Sequence, residues 1–327
     1  MRSPIFIFSL PRSGSTLLQR ILLSHKSIGG TSEPWLLLPL VYSIKEQGGL
    51  SEYSNKLSNK GIIDLLSTLP NGNEIYYNEI RNFSTNIYSK FLKEDEVYFL
   101  DKTPRYYYII DDLYKIFPNA KFIFLFRNPI QVYASILTTW CNNNFSKLYG
   151  SHNDLYYGFK KLSESYQKYG QKKNTFKVNY SDLVNNPLET IKSIQDFLGI
   201  EYNKDLEYNF VNTKIDTEKY LGDPTGIKKY SSITPETLSK WKTVFNSNVR
   251  KWILRKYIDK SLTDEDLKTQ GFDKAQLLLE LNQLKTKGKH NAIKDLFSFF
   301  IYKTIIRFNL YLFFSKSTSW IKKTFIS

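Results

Sequence analysis

Pro4-Ile5-Phe6-Ile7-Phe8-Ser9-Leu10-Pro11-Arg12-Ser13-Gly14-Ser15-Thr16 opens the chain with an apolar run, a polar loop and the start of a helix. Ile5 to Phe8 are four consecutive β-formers between Pro4 and the Ser9-Leu10-Pro11 turn, which suits a strand buried on both faces of a sheet. From Thr16 the spacing of Leu17, Leu18, Ile21 and Leu22 predicts a helix to about Ser24. Strand, glycine-containing loop and helix together make a phosphate cradle. Successive backbone amides point into the turn, the helix amino end adds partial positive charge, and Gly14 lets the backbone approach an anion closely. The loop departs from the ATPase consensus G-x-x-x-x-G-K-[ST]. Ser9 stands where the first glycine belongs and Ser15 where the lysine belongs, so the positive charge comes from Arg12 instead. Hydrolysis of a nucleoside triphosphate thereby loses its main support.

Outward from this loop, Val97–Leu100, Lys121–Phe126 and Thr175–Tyr180 predict further buried strands. Each precedes a helical pattern, at 107–117, 130–140 and 188–198, with Pro129 and Pro187 at helix starts where the missing amide hydrogen costs nothing. This alternation predicts an α/β fold on a parallel sheet. Residues 36–95 and 141–174 are insertions rich in Asn, Ser, Tyr and Lys. They are expected either to form a lid over the carboxyl ends of the strands or to be ordinary surface helices.

Composition narrows the classes. With 41% hydrophobic and 16% aromatic residues in 327, the chain is too apolar for intrinsic disorder. The single cysteine, Cys141, excludes an intrachain disulfide, and with three dispersed histidines (His25, His152, His290) no metal site is expected. The net charge of +15 calls for anionic partners, and +10 of it falls in residues 236–327. Nucleic-acid binding would rest on charge alone and is not expected. No signal peptide is read at the amino end, so a cytoplasmic location is expected.

Further motifs follow in order. Phe122-Ile123-Phe124-Leu125-Phe126-Arg127-Asn128-Pro129 delivers an arginine at the end of a strand, with Ser135 two helical turns later, an arrangement able to grip a phosphate. Asp101-Lys102-Thr103-Pro104 follows the preceding strand. Phe176 to Val184 with Asn186-Pro187, and Gly222-Asp223-Pro224 with Ile233 and Trp241, complete the series. Taken together, these motifs resemble the PAPS-dependent sulfotransferases over residues 4 to about 245. The first loop is similar to their P-[RK]-[ST]-G-[ST]-[ST] phosphosulfate loop, the others to their R-[DN]-P…S, D-K-[TS]-P, V-x-Y-E-D-L-V-x-x-P and G-D-P segments. Ser181 replaces the usual glutamate of the fourth.

The resemblance implies a three-layer parallel sheet with a P-loop-type nucleotide site, helical insertions and a helical C-terminal extension, divided as a sulfotransferase domain over 1–260 and an extension over 261–327. It implies PAPS as donor, PAP as product, no metal, and transfer to a hydroxyl of a carbohydrate, lipid or small metabolite, with an amine or tyrosine also open. Ser13, Gly14, Ser15 and Thr16 would hold the 5′-phosphate, Arg127 and Ser135 the 3′-phosphate, and Tyr180 would be a further nucleotide-binding residue. Arg12 and Lys102 would neutralise the sulfate and the bridging oxygen. Glu33, in Thr31-Ser32-Glu33-Pro34, resembles the glutamate base of the carbohydrate and tyrosyl-protein branches, with His25 the rival base. A noncatalytic anion-binding P-loop protein at a membrane surface and a P-loop small-molecule kinase are the alternatives.

The resemblance leaves the tail unexplained. Residues 275–294 have a basic helical pattern, and Leu296–Phe314 is mostly apolar, interrupted by Lys303, Arg307 and Asn309. Its length could span a bilayer, but two central charges would each cost ~3 kcal/mol. Peripheral contact of residues 296–323 with anionic lipid is therefore expected, flanked by Lys294, Lys316, Lys322 and Lys323. Packing on the catalytic domain or on a second subunit stays open, as does the oligomeric state.

Overall fold

The strand β1 (Ile5–Phe8) lies at the centre of the sheet in the computed structural model, which describes residues 3–45, 53–213, 232–288 and 290–310. After β1 come α1 (Ser15–Leu23), β2 (Ile28–Gly30), α2 (Leu37–Tyr42), α3 (Asn55–Ser67), α4 (Gly72–Phe91), β3 (Tyr98–Asp101) and α5 (Ile110–Ile116). Then follow β4 (Lys121–Phe126), α6 (Pro129–Thr139), α7 (Phe159–Tyr169), β5 (Thr175–Asn179), α8 (Tyr180–Asn185), α9 (Pro187–Leu198) and α10 (Leu206–Asn209). The later helices are α11 (Trp241–Val244), α12 (Asn248–Ser261), α13 (Asp264–Gln270), α14 (Lys274–Gln283) and α15 (Ala292–Arg307). The Gly222-Asp223-Pro224 motif and Lys316, Lys322 and Lys323 lie outside the described residues.

All pairings in the five-stranded sheet are parallel, in the order β2-β3-β1-β4-β5. The α/β expectation is met. The connection from β1 leads to one side and that from β4 to the other, so the carboxyl ends of these two neighbours form the topological switch point, where open α/β sheets bind ligands. Register sets the level of each loop. Phe8 pairs with Phe124 and Phe6 with Asp101, so the segments after β1 and β3 leave the same edge of the sheet.

The chain divides into two compact units, Met1–Phe126 with Glu164–Thr234 and Arg127–Ser163 with Pro235–Ser327. The core of the first is an aromatic ladder. Phe122 stacks with Phe6 at 5.6 Å and with Tyr114 at 3.9 Å, all three buried. Each such ring removed from water contributes about 2–3 kcal/mol. In the second unit Tyr133 packs on Phe245 and Tyr257, and Phe145 on Phe299.

Three elements differ from the sequence expectation. The sequence does not predict the edge strand β2, because Ile28-Gly29-Gly30 is short and lacks β-branched repetition. Glycine serves there by allowing close approach, since a Cβ on Gly30 would lie 2.7 Å from the Leu100 carbonyl oxygen. The helix expected at 107–117 is a 3₁₀ turn over Tyr106–Tyr108 and then α5, with non-helical backbone at Ile109 where the buried tyrosines anchor the turn. The helix expected at 275–294 ends at Gln283. Lys285-Thr286-Lys287-Gly288 has no apolar side chain to bury and two weak helix formers, and Asn291 then caps α15 by accepting from the Lys294 amide.

Candidate active site

The phosphate loop is built where β1 stops. Arg12 and Gly14 both have left-handed backbone, φ 66 and φ 91, on either side of Ser13, an arrangement that turns successive amides toward one side. For Arg12 this conformation costs about 1–2 kcal/mol, strain of the kind held at functional loops. Tyr180, at the start of α8, places its ring directly behind Gly14. A Cβ there would sit 2.3 Å from the ring, so only glycine fits. The structure thus brings Tyr180 to the loop as its floor, with 1% of its surface exposed. No side chain caps the amides of α1, and Ser9 Oγ is buried with no hydrogen-bond partner among the described residues. An uncapped helix start, a glycine-tight turn and an orphaned hydroxyl fit a bound phosphate.

Glu33 and Lys102 meet. Lys102 Nζ donates to Glu33 Oε1 at 2.7 Å, with the lysine side chain 1% and the glutamate 10% exposed. Lys102 arrives directly from β3. Glu33 arrives from the turn after β2 and is held on two sides: Trp35 Nε1 donates to Glu33 Oε2 at 3.2 Å, and Gln19 Nε2 donates to the Thr31 and Ser32 carbonyls at 2.8 and 2.7 Å. Gln19 lies on α1, so the phosphate-loop helix itself braces the segment that carries the carboxylate.

Behind Lys102, Asp101 is fully buried and accepts from Tyr88 and Tyr106 at 2.6 and 2.8 Å on one oxygen and from Thr103 at 2.9 Å on the other. Thr103 Oγ1 in turn accepts from the Trp35 amide at 3.3 Å. Burial pushes the Asp101 carboxyl up to about 6, against the pull of the three hydroxyl donors and the Lys102 ammonium. Tyr88 and Tyr106 are pushed well above the usual phenol range by burial and then by the Asp101 charge, which keeps them protonated as donors.

His25 is placed differently. Its Nδ1 accepts from the Ser27 amide at 3.1 Å, which leaves Nε2 to donate to the Glu201 carbonyl at 3.0 Å. Both nitrogens are engaged by backbone, and the ring is 3% exposed. In the second unit, Arg127 lies just before Asn128, the N-cap of α6. Its Nε donates to Gln131 Oε1 at 3.1 Å and its Nη2 to the Thr237 carbonyl at 3.4 Å. Ser135 lies half-buried on α6, so Arg127, Gln131 and Ser135 succeed one another at four-residue intervals. Gln19, Trp35, Asp101, Tyr88 and Tyr106 were not singled out as site residues from the sequence. For Gln19 and Asp101 the sequence carries one signal, a polar side chain next to an apolar run; for Tyr88 it carries none.

The family model described as Sulfotransferase family matches residues 4–204. The nodulation protein NoeE of Sinorhizobium fredii is 33% identical over 136 residues, 41% of this chain, which spans only 31% of that protein's length. A putative protein-tyrosine sulfotransferase of Caenorhabditis briggsae is 24% identical over 251 residues, 75% of this chain and 82% of that one. Among solved structures, the sulfotransferase domain of the curacin biosynthetic pathway superposes with a TM-score of 0.49 at 23% identity, covering 75% of this chain and 92% of that domain. Mouse sulfotransferase SULT7A1 complexed with PAP gives 0.44 at 11% identity over 82% and 88%. With a family match over more than half of its length, laid on the phosphate loop and the Lys102–Glu33 pair, the chain belongs to the sulfotransferase family.

Proposed function

We propose that the protein transfers a sulfuryl group from PAPS to a hydroxyl acceptor. The observation that carries this reading is the buried Lys102–Glu33 pair, braced by Gln19 from the helix of the phosphate loop. Sulfuryl transfer is an in-line displacement with a loose transition state, in which the protein positions groups and offsets charge, as in phosphoryl transfer. Glu33 accepts the acceptor's hydroxyl proton while that oxygen bonds to sulfur. The bond from sulfur to the bridging oxygen breaks, and Lys102 and Arg12 neutralise the charge that leaves with PAP. The resting ion pair fits both roles, because an ammonium released to the leaving group also unmasks the carboxylate. Glu33 is favoured over His25 as base, since His25 would first have to surrender its Ser27 bond. By the sequence resemblance, Ser13 to Thr16 would hold the 5′-phosphate, and Arg127 with Ser135 the 3′-phosphate.

The acceptor side is read from a cavity of about 530 Å³ in the first unit. Its lining includes Leu38, Tyr42 and Ile62, with Asn59, Arg105 and Tyr108. Leu38 lies five residues after Glu33 and Arg105 three after Lys102, so both reacting segments run on into its wall. Among the described residues the lining has aromatic and apolar faces with amide, hydroxyl and guanidinium groups and no carboxylate, which suits a hydroxylated small molecule or glycan; the Asn59 amide itself donates to the Tyr42 and Lys45 carbonyls. A tyrosine acceptor, the substrate in the name of the Caenorhabditis briggsae relative, would also fit the aromatic walls.

Isothermal titration tests the donor. PAP is expected to bind, Arg127→Ala to weaken it at least ~tenfold, and adenosine 5′-phosphate, which lacks the 3′ group, to lose nothing on that substitution. Absence of PAP binding, or undiminished binding by Arg127→Ala, would defeat the assignment. Mass spectrometry of acceptor pools incubated with labelled PAPS then identifies the acceptor.

A further inference from the structure

The helix α15 has two apolar faces. Phe299, Tyr302 and Ile305 are buried inward, as are Asp295 and Ser298 between them. The opposite side presents Ile293, Phe297, Phe300 and Phe308 to solvent, 82%, 67%, 58% and 63% exposed, with Leu296 and Ile301 alongside. At 100° per residue the five of these within α15 fall within a little over a third of the helix circumference, so they form one stripe, with Phe308 at the helix C-cap beyond it. Single exposed apolar residues need no explanation, but a contiguous stripe of large ones marks an interaction face.

The surroundings are cationic. Lys294 and Lys303 are exposed on α15 at the margins of the stripe, and Arg307 is exposed within its arc at the end of the helix. Lys303 lies beside Tyr156, Phe299 and Tyr302, its ammonium 5.4–5.7 Å from each ring centre. Burial, and then repulsion from Lys260 and Lys256, draws it below the usual lysine range. Lys256 itself lies 4.0 Å over the ring of Trp252, which is 39% exposed and packs edge-on against Phe299. Three ammoniums on α12 and α15 thus repel one another beside an exposed tryptophan. From Leu296 to Ser327 the sequence contains five Lys or Arg and no Asp or Glu. No helix among the described residues is long and apolar enough to cross a membrane.

We propose that the outer face of α15 docks the protein peripherally on an anionic lipid surface, the phenylalanines entering the acyl boundary and Lys256, Lys303 and Arg307 meeting the headgroups. Acid-free sequence and crowded ammoniums select a negatively charged occupant over a second copy of this basic chain, which would set like charges against one another. Interfacial helices combine these features: apolar side chains inward to lipid, cations at headgroup level, a tryptophan at the boundary.

Flotation of the full chain with phosphatidylcholine vesicles, with and without phosphatidylserine, tests this. Binding is expected with phosphatidylserine, falling at least ~tenfold without it and on raising salt, because each cation near the surface contributes a several-fold factor. Phe297→Ser with Phe300→Ser should lower affinity for the anionic vesicles roughly tenfold or more while leaving melting temperature and PAP binding unchanged, since both rings are exposed. Lys256→Glu with Lys303→Glu should do the same through charge. Failure of the native chain to float with anionic vesicles, or equal flotation of both double variants, would overturn the proposal. So would a dimer, seen by light scattering, that the phenylalanine variant dissolves.

Discussion

Two buried ion pairs, one in each unit, contrast in how fully their donors are used. In the helical unit Arg250 grips Asp295 with two parallel bonds, Nε to Oδ2 at 2.7 Å and Nη2 to Oδ1 at 3.0 Å, and spends Nη1 on the Asn143 side chain and the Val244 carbonyl. Its fork is saturated, as a structural clamp between α12 and α15 requires. At the sheet edge Lys102 has three donors and makes one hydrogen bond among the described residues, to Glu33. Its partner carboxylate has a second anchor in Trp35 and a third brace through Gln19. A saturated pair can only hold; an unsaturated pair in a braced setting can change partners. Burial is common to both pairs, so it is the count of unspent donors that sets Lys102 apart and that the proposed function calls on.

The contrast is sharpest in catalysis. Lys102→Ala is expected to lower sulfuryl transfer by about 10³ while PAP binding falls far less, because the lost charge acts on the leaving group; rates with labelled PAPS beside titration with PAP read both. Arg250→Met should cost about 3–5 kcal/mol of stability by stranding Asp295, with PAP affinity of the folded protein unchanged, as denaturant unfolding would show. If Arg250→Met instead abolished transfer in a fully folded protein, the division into clamp and reacting pair would break.

A smaller effect separates the two pairs by pH. The Asp101 carboxyl behind Lys102 has its value raised from 3.8 to about 6. The folded chain therefore holds a proton that the unfolded chain releases. The stability this contributes is fully present below 3.8 and is lost as pH rises through about 6. Asp101→Asn removes the titration, so the melting temperature of the native chain should fall relative to the variant between pH 4 and 7. A constant difference over that range would contradict it.

What could be read in advance divides along the same line. β1 and its loop are legible because their causes are local: Ile5 to Phe8 are apolar without interruption, and Gly14 is the residue a left-handed turn demands. Arg127 and Lys102 are legible as strand-end cations. The bracing is not, because its partners are remote. Gln19 reaches Thr31, Trp35 reaches back to Glu33 and across to Thr103, and Tyr88 reaches Asp101, contacts that only the assembled sheet brings about. β2 escapes notice for a related reason, since two glycines have no strand preference of their own and pair because β3 lies beside them. The tail shows a third cause. Its apolar content was visible, but an all-round apolar helix does not reveal which side packs inward until Asp295 is found clamped by Arg250.

The ring of Tyr180 against Gly14 has a consequence for biogenesis. The turn is encoded within the first sixteen residues, yet its underside is supplied by a side chain about halfway along the chain. A ribosome-bound fragment ending before β5 would carry the Gly14 turn with nothing beneath it, so the shape of the loop is completed only once Tyr180 has been synthesised.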